Sequence, residues 1–375
     1  MTSNSFVIRN VRAFCYRYPL AVPVATSFGL MMNRPAVFVR VEDEEGNFGW
    51  GEVWSNYPSP GAEHRTRLVN EILAPTIAGF AAAHPADVFE TLTQRTAILA
   101  LQSGEPGPFA QAIAGIDIAV WDLYAKRCMM PLWRLIGGKS STISVYASGI
   151  NPTGSRQTGE TAINWGHRAL KLKIGFDSTR DRENLAALRE LVGAGMLAAD
   201  ANQAWSLRQA LEFAPHLEEF RLAWLEEPIA ADRPWSEWQS LRRAIDLPLA
   251  AGENISNRAG FMHALSEDVL RIVQPDVAKW GGVTVCSEIA RKIQAAGKTY
   301  CPHYLGGGIG LLASAHLLAG VGGDGLLEVD VNPNLLRDNF CGTVMAVSEG
   351  KVTLTDTPGL GIDPDFSQVE TYRTL

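Results

Sequence analysis

Residues 169–200, ALKLKIGFDSTRDRENLAALRELVGAGMLAAD, read as strand, helix, strand. Two short apolar runs, each ending in or beside a charged residue (Lys173 and Asp200), flank a longer stretch at helical spacing. The unit recurs. ISVYAS (143–148), ALKLKI (169–174), GMLAAD (195–200), LAWLEE (222–227), LPLAAGE (247–253), LRIVQPD (270–276), KTYCPH (298–303) and LLEV (326–329) are eight strand candidates. Seven carry an ionisable residue at or near their end: Lys173, Asp200, Glu226, Glu253, Asp276, His303 and Glu328, at separations of 23 to 27 residues. A period of that size means repeated architecture. Eight parallel strands with intervening helices close into a barrel whose active site lies at the C-terminal strand ends, where these seven residues fall.

Before the repeats, residues 6–53 alternate apolar and polar, with a turn-like EEGN at 44–47, and predict an antiparallel sheet. Residues 62–136 follow at helical spacing and stop at paired glycines. The expected organisation is an α+β cap over 1–130, the barrel over 131–345, and a C-terminal segment, 346–375, returning to the cap. A chain of 375 residues has room for a barrel of about 250 residues plus this smaller partner. The composition, 46% apolar and 19% charged, is globular, and no apolar run approaches the roughly 18 residues of a membrane span. The opening MTSNSFVIRNVRAF lacks a secretory pattern. Cys15, Cys128, Cys286, Cys301 and Cys341 are scattered and odd in number, as expected of reduced thiols in a cytoplasm. A net charge of −7 without a basic block speaks against a nucleic-acid partner.

Asp200, Glu226 and Glu253 would stand on three neighbouring strands, roughly 4.8 Å apart each. Ligation by oxygen alone favours a hard cation, Mg²⁺ or Mn²⁺, over Zn²⁺. In LEEP, spacing does not choose between Glu226 and Glu227. Lys171 and Lys173 are two apart on one strand and share a face. Because the outer face of a barrel strand lies under helices, both should line the pocket. Each raises the other's cost of being charged and a nearby metal adds to this, so a neutral Lys173 acting as a base comes within reach. Asp276 and His303 end consecutive strands, so the carboxylate can fix the imidazole's tautomer. Lys173 and His303 would then face each other across the ring. Glu328 stands opposite the metal strands, able to meet the far oxygen of a substrate carboxylate, and Asp330 shares its face. A proton α to a carboxylate is so weakly acidic that its removal needs concentrated positive charge as well as a base.

The chain resembles the mandelate racemase-like branch of the enolase superfamily through IDIAVWD (116–122), KLKIG (171–175), DANQAW (200–205), LEEP (225–228), AGEN (251–254), QPDVAKWGG (274–282), CPHYLGGGIG (301–310) and PGLGI (358–362). The chemistry that this resemblance implies is a Lys or His base working with Mg²⁺. It also implies an α/β fold, a modified (β/α)₈ or (β/α)₇β TIM-type barrel, capped by an α+β domain built from both chain ends. It implies one Mg²⁺ per subunit, replaceable by Mn²⁺, on Asp200, Glu226 (not Glu227) and Glu253. It implies bases at Lys173 and His303, with Asp276 as the histidine's partner. Lys171 would contact the substrate carboxylate and Asn202 would support the metal end. Ser148, on the first barrel strand, is a carboxylate contact or a plain loop serine. Asp117 and Asp122 fit the family helix pattern as packing and capping residues; the glycine-rich run 306–310, GGGIG, reads as a tight turn near the substrate.

The expected activity is removal of the proton α to a carboxylate through an enediolate, with dehydration of an acid sugar as the overall reaction. A racemase, epimerase or lactone cycloisomerase could use the same site; a Schiff-base aldolase or a non-catalytic binding protein fits less well. The expected partner is a small hydroxy-carboxylate, with no membrane and a homo-oligomeric assembly. Substrate choice would lie in the loops 25–37 and 53–65, where Arg34 could meet a distal anionic or hydroxyl group and Phe28, Met31, Met32 and Trp54 could shield an apolar one.

Overall fold

The structure, a computed structural model, describes residues 5–26 and 29–375. Strands β1 (Phe6–Thr26), β2 (Gly29–Asp43), β3 (Phe48–Val53) and β4 (Ala81–Ala82) form an antiparallel sheet in the order β3-β2-β1-β4. Asp43 closes the predicted turn at 44–47 by accepting the N–H groups of Glu45 (3.0 Å) and Asn47 (2.8 Å). The 22-residue helix Pro106–Arg127 packs on one face of this sheet. It approaches closely because β3 carries glycines: a Cβ on Gly51 would lie 2.1 Å from the Gly115 carbonyl. On the sheet, Tyr16, Phe38 and Trp50 gather around Phe366 from the C-terminal tail.

The barrel strands are β5 (Thr142–Ile150), β6 (Ala169–Lys173), β7 (Met196–Asp200), β8 (Leu225–Glu226), β9 (Leu249–Ala251), β10 (Leu270–Val273), β11 (Thr299–Tyr300) and β12 (Leu326–Asp330). They are parallel and pair in sequence order from β5 to β11, with β12 returning to β5. Seven α-helices, and one 3₁₀ helix (Ala214–Phe220) between β7 and β8, separate the eight strands, which is the (β/α)₇β form of the barrel. Among the described residues β11 and β12 share no ladder; the Leu326 N–H reaches the Cys301 thiol at 3.4 Å instead. Tyr146, Ala169, Ala198, Trp224, Ala250, Ile272 and Cys301 fill the barrel interior as a small apolar cluster separate from the main core.

The C-terminal segment divides its contacts. Strand β13 (Lys351–Thr353) pairs antiparallel with β5 of the barrel. Beyond it the chain reaches the cap, where Cys15 N–H donates to the Leu375 carbonyl (3.1 Å) and Thr374 N–H to that of Cys15 (2.8 Å). No helix among the described residues is long and apolar enough to cross a membrane.

Candidate active site

Strand alternation converts the apolar filling into a charged layer one step further along each strand. Lys171 and Lys173 follow Ala169, Asp200 follows Ala198, Glu226 follows Trp224, His303 follows Cys301 and Glu328 follows Leu326. Register places Lys173 beside Asp200 and Asp200 beside Glu226, so these three stand level on adjacent strands. Glu253 lies two residues past the end of β9. It gets there through Gly252, at φ +151°, where a Cβ would meet the Gln274 backbone nitrogen at 2.5 Å.

Lys171 is fully buried, its Nζ 2.7 and 2.9 Å from the two Glu226 oxygens and 2.9 Å from Glu328 Oε1. Burial opposes its charge, but Glu226 and Glu328 hold it protonated well above the usual lysine range. Lys173 Nζ lies 2.6 Å from Asp200 Oδ2 and 2.8 Å from Asn202 Oδ1. There too burial is outweighed, chiefly by Asp200, and the pKa is raised. The expected lowering of the Lys173 pKa by Lys171 is present but is outweighed by Asp200 and Glu226. The mutual repulsion of the two cations is smaller than the attraction of the acids around them.

His303 Nδ1 is 2.8 Å from Asp276 Oδ2, and its Nε2 is 3.0 Å from Glu253 Oε2. Burial would lower the imidazole pKa, but Glu253, Glu328 and Asp276 together raise it well above its ordinary value. Asp276 is itself oriented by the N–H groups of Ala278 (2.8 Å) and Lys279 (3.0 Å). Both members of the pair lie just beyond their strands.

Glu226 and Glu227 are both buried. Glu226 continues the inward face and also accepts from Gln274 Nε2 (2.7 Å) and Trp224 Nε1 (3.2 Å). Glu227, at φ +36°, takes the Asn254 amide at 2.9 and 3.0 Å. Burial, then the neighbouring Asp200, pushes Glu226 up to about 7; burial, then Glu253, pushes Glu227 up to about 8.

Among the described residues no three His, Cys, Asp or Glu side chains are converged as a ready metal cluster, because the carboxylates turn toward the lysines and His303. The composition of the layer nevertheless fits a hard divalent cation. Six carboxylates (Asp200, Glu226, Glu227, Glu253, Asp276, Glu328) face four basic groups (Lys171, Lys173, Lys279, His303), and two of the acids are pushed up by burial and by one another. With every group ionised the layer carries two negative charges in excess, which a divalent cation would balance, and the donors it offers are oxygens.

Of the other residues singled out in the sequence, Asn202 donates its backbone N–H to Asp200 Oδ1 (2.8 Å) and adopts φ +44°. Ser148 is buried beside Asp330 in the β5–β12 register. Arg34 is buried and pairs with Asp330 at 2.6 Å, so its guanidinium meets a protein carboxylate. Glu328 also accepts the Tyr304 N–H (3.2 Å). Met31 is buried, Met32 exposed and Trp54 half-buried, while Phe28 falls outside the described residues. Sequence reasoning missed Gln274, Lys279, Asn254 and Tyr304. Gln274 had a signal, lying two residues before Asp276 and on its face; Lys279, in QPDVAKWGG, stacks on Trp54 with its Nζ 4.7 Å from the ring centre.

Residues 8–137 match the family described as mandelate racemase / muconate lactonizing enzyme, N-terminal domain, and residues 155–369 that described as enolase C-terminal domain-like. A mandelate racemase/muconate lactonizing enzyme from Bordetella bronchiseptica RB50 shares 50% identity and superposes with a TM-score of 0.93, covering 98% of this chain and 99% of its own. A racemase from Streptomyces coelicolor, crystallised with bound magnesium, gives 0.89 at 28% identity over 98% of this chain and 100% of its own. The 3,6-anhydro-alpha-L-galactonate cycloisomerase of Streptomyces coelicolor is 30% identical, over 97% of this chain and 98% of the relative. Further relatives are named arabinonate dehydratase and D-galactonate dehydratase. The chain is therefore an enzyme of the mandelate racemase / muconate lactonizing enzyme family, within the enolase superfamily.

Proposed function

We propose that this enzyme removes the proton α to the carboxylate of an acid sugar and then expels the β-hydroxyl as water, leaving a 2-keto acid. The supporting observation is the placement of two proton-carrying groups, each hydrogen-bonded to the same acid layer: Lys173 on Asp200 at the second barrel strand, and His303 on Glu253 beyond the seventh. Asp200, Glu226 and Glu253 would hold one Mg²⁺, which supplies the positive charge that a deprotonated carboxylate requires. Lys173 or His303 takes the α-proton, and the C–H electron pair moves into the carboxylate as an enediolate. When that pair returns, the α,β double bond forms as the β-carbon–oxygen bond breaks, and the opposite group gives its proton to the departing hydroxyl; the resulting enol loses its hydroxyl proton and gains one at the β-carbon to become the 2-keto acid. Asp276 keeps the imidazole in the tautomer this needs, and Glu328 with Lys171 meets the substrate carboxylate. Lys173 serves as a base only once Asp200 is drawn away from it, and His303 only once Glu253 is.

A second reading, cycloisomerisation of a sugar lactone or anhydro sugar acid, is favoured by the 30% identity to a cycloisomerase over nearly the whole chain. The same first step applies, with an internal oxygen leaving in place of hydroxide. A library of acid sugars and their lactones, incubated with enzyme and Mg²⁺, decides between them. Loss of water from an open-chain acid sugar to give a 2-keto acid supports dehydration; ring opening to a 2-keto acid, or ring closure, without loss of water supports the second reading; no exchange and no turnover with any carboxylate contradicts both.

A further inference from the structure

Asp276 and His303 are not fixed by the barrel ladder, because β10 ends at Val273 and β11 at Tyr300. Their 2.8 Å contact therefore depends on two loops staying in place to a fraction of an ångström. Both loops are held by one short stretch of the cap, Glu52–Asn56, at the end of β3. Glu52 is 2% exposed, and its two carboxylate oxygens accept the N–H groups of Gly307 (2.5 Å) and Gly310 (2.8 Å), just after His303. Asn56 Nδ2 donates to the Leu305 carbonyl at 2.7 Å, two residues from His303. Trp54 N–H donates to the Ala278 carbonyl at 3.2 Å, two residues from Asp276.

Gly307 is shaped to this contact, since a Cβ there would lie 2.8 Å from Glu52 Oε1. From the neighbouring cap helix, Asp117 accepts the N–H (3.0 Å) and hydroxyl (2.6 Å) of Thr284, pinning the far end of the Asp276 loop. A carboxylate serving two backbone donors cannot be replaced by an amide without setting its NH₂ against an N–H.

We propose that Glu52 is a positioning residue: through the Gly307–Gly310 turn it sets the His303–Asp276 contact, so the cap fixes the geometry of a group on the barrel. The importance of that contact for turnover rests on the function proposed above, but the contact itself can be observed without turnover.

The test follows the His303 Nδ1–H proton by NMR in the full-length, Mg²⁺-loaded protein, its resonance identified by its absence in His303→Asn. Glu52→Gln and Glu52→Ala are compared with Asp122→Asn, a cap carboxylate that is equally buried but holds Trp50 N–H (2.8 Å) and Leu360 N–H (2.7 Å) and touches neither loop. The Glu52 variants should lose the resonance or exchange it with solvent at least about tenfold faster, while Asp122→Asn keeps it even at an equal loss of Tm. Should Glu52→Ala fail to fold, Glu52→Gln and the shorter Glu52→Asp give the same reading. Unchanged exchange in a folded Glu52 variant, or an equal effect from Asp122→Asn, overturns the proposal. Absence of activity with acid sugars would sink the functional reading and leave this result standing.

Discussion

Arg34, on the second strand of the cap, and Asp330, at the end of the last barrel strand, meet in a 2.6 Å ion pair that is almost wholly shielded from water. Removing one partner of a buried pair strands the other charge, at a cost of about 3–5 kcal/mol, and less where another partner remains, as Arg337 does for Asp330 at 3.5 Å. Asp330→Asn should destabilise the protein by about that much, Arg34→Met by less because Arg337 still faces Asp330, and the double variant by less than the sum. Urea unfolding of the four proteins measures the coupling. Additive losses would show that the pair is not a joint between cap and barrel.

The acid layer predicts a specific order of metal affinities. Glu226, level with Asp200 and facing the barrel axis, is the proposed ligand; Glu227 supports the layer through Asn254. Calorimetric titration with Mg²⁺ should show binding weakened about 100-fold or more by Glu226→Gln and about tenfold by Glu227→Gln. A chelator should abolish activity, and Mg²⁺ or Mn²⁺ should restore it. The reverse order of the two variants would reassign the ligand.

His316 gives the protein a pH dependence away from this site. Its Nδ1 accepts the Trp133 N–H (3.1 Å) and its Nε2 faces the Leu360 carbonyl (3.3 Å), so it is held neutral. Burial lowers its pKa to about 4. The unfolded chain takes up the proton near pH 6.5 and the folded one near 4, so this contribution is complete above pH 6.5 and is lost as pH falls across that window. At pH 7 His316→Gln should be less stable than wild type, and by about pH 5 the gap should shrink by about 2 kcal/mol. Denaturant unfolding at the two pH values checks this; a constant gap would mean that His316 is not held neutral.

The barrel was legible because strand alternation and a near-constant period both act locally. Lys173, Asp200 and Glu226 had to arrive at the same ends of neighbouring strands. The charge state of the layer was not legible, since it depends on how many acids reach one volume, and Glu227, Gln274 and Lys279 enter from loops and strand ends that the period does not specify. Glu52 was invisible for the same reason. Within GWGEVW it reads as one polar residue of an alternating strand, and only the packing of cap on barrel shows that it meets two backbone N–H groups after His303.

The central claim is that Lys173 and His303 are separate proton carriers on opposite sides of one substrate carbon. It is tested most directly by α-hydrogen exchange in D₂O, followed by proton NMR on a turned-over substrate with Mg²⁺ present. For a substrate deprotonated by Lys173, Lys173→Ala should abolish exchange, while His303→Asn should block the overall reaction yet leave exchange intact. For the opposite α-configuration the pattern should invert, with Asp276→Asn a milder copy of His303→Asn. Retention of exchange for both configurations in both single variants, with metal binding intact, would contradict the account and place the base on another residue.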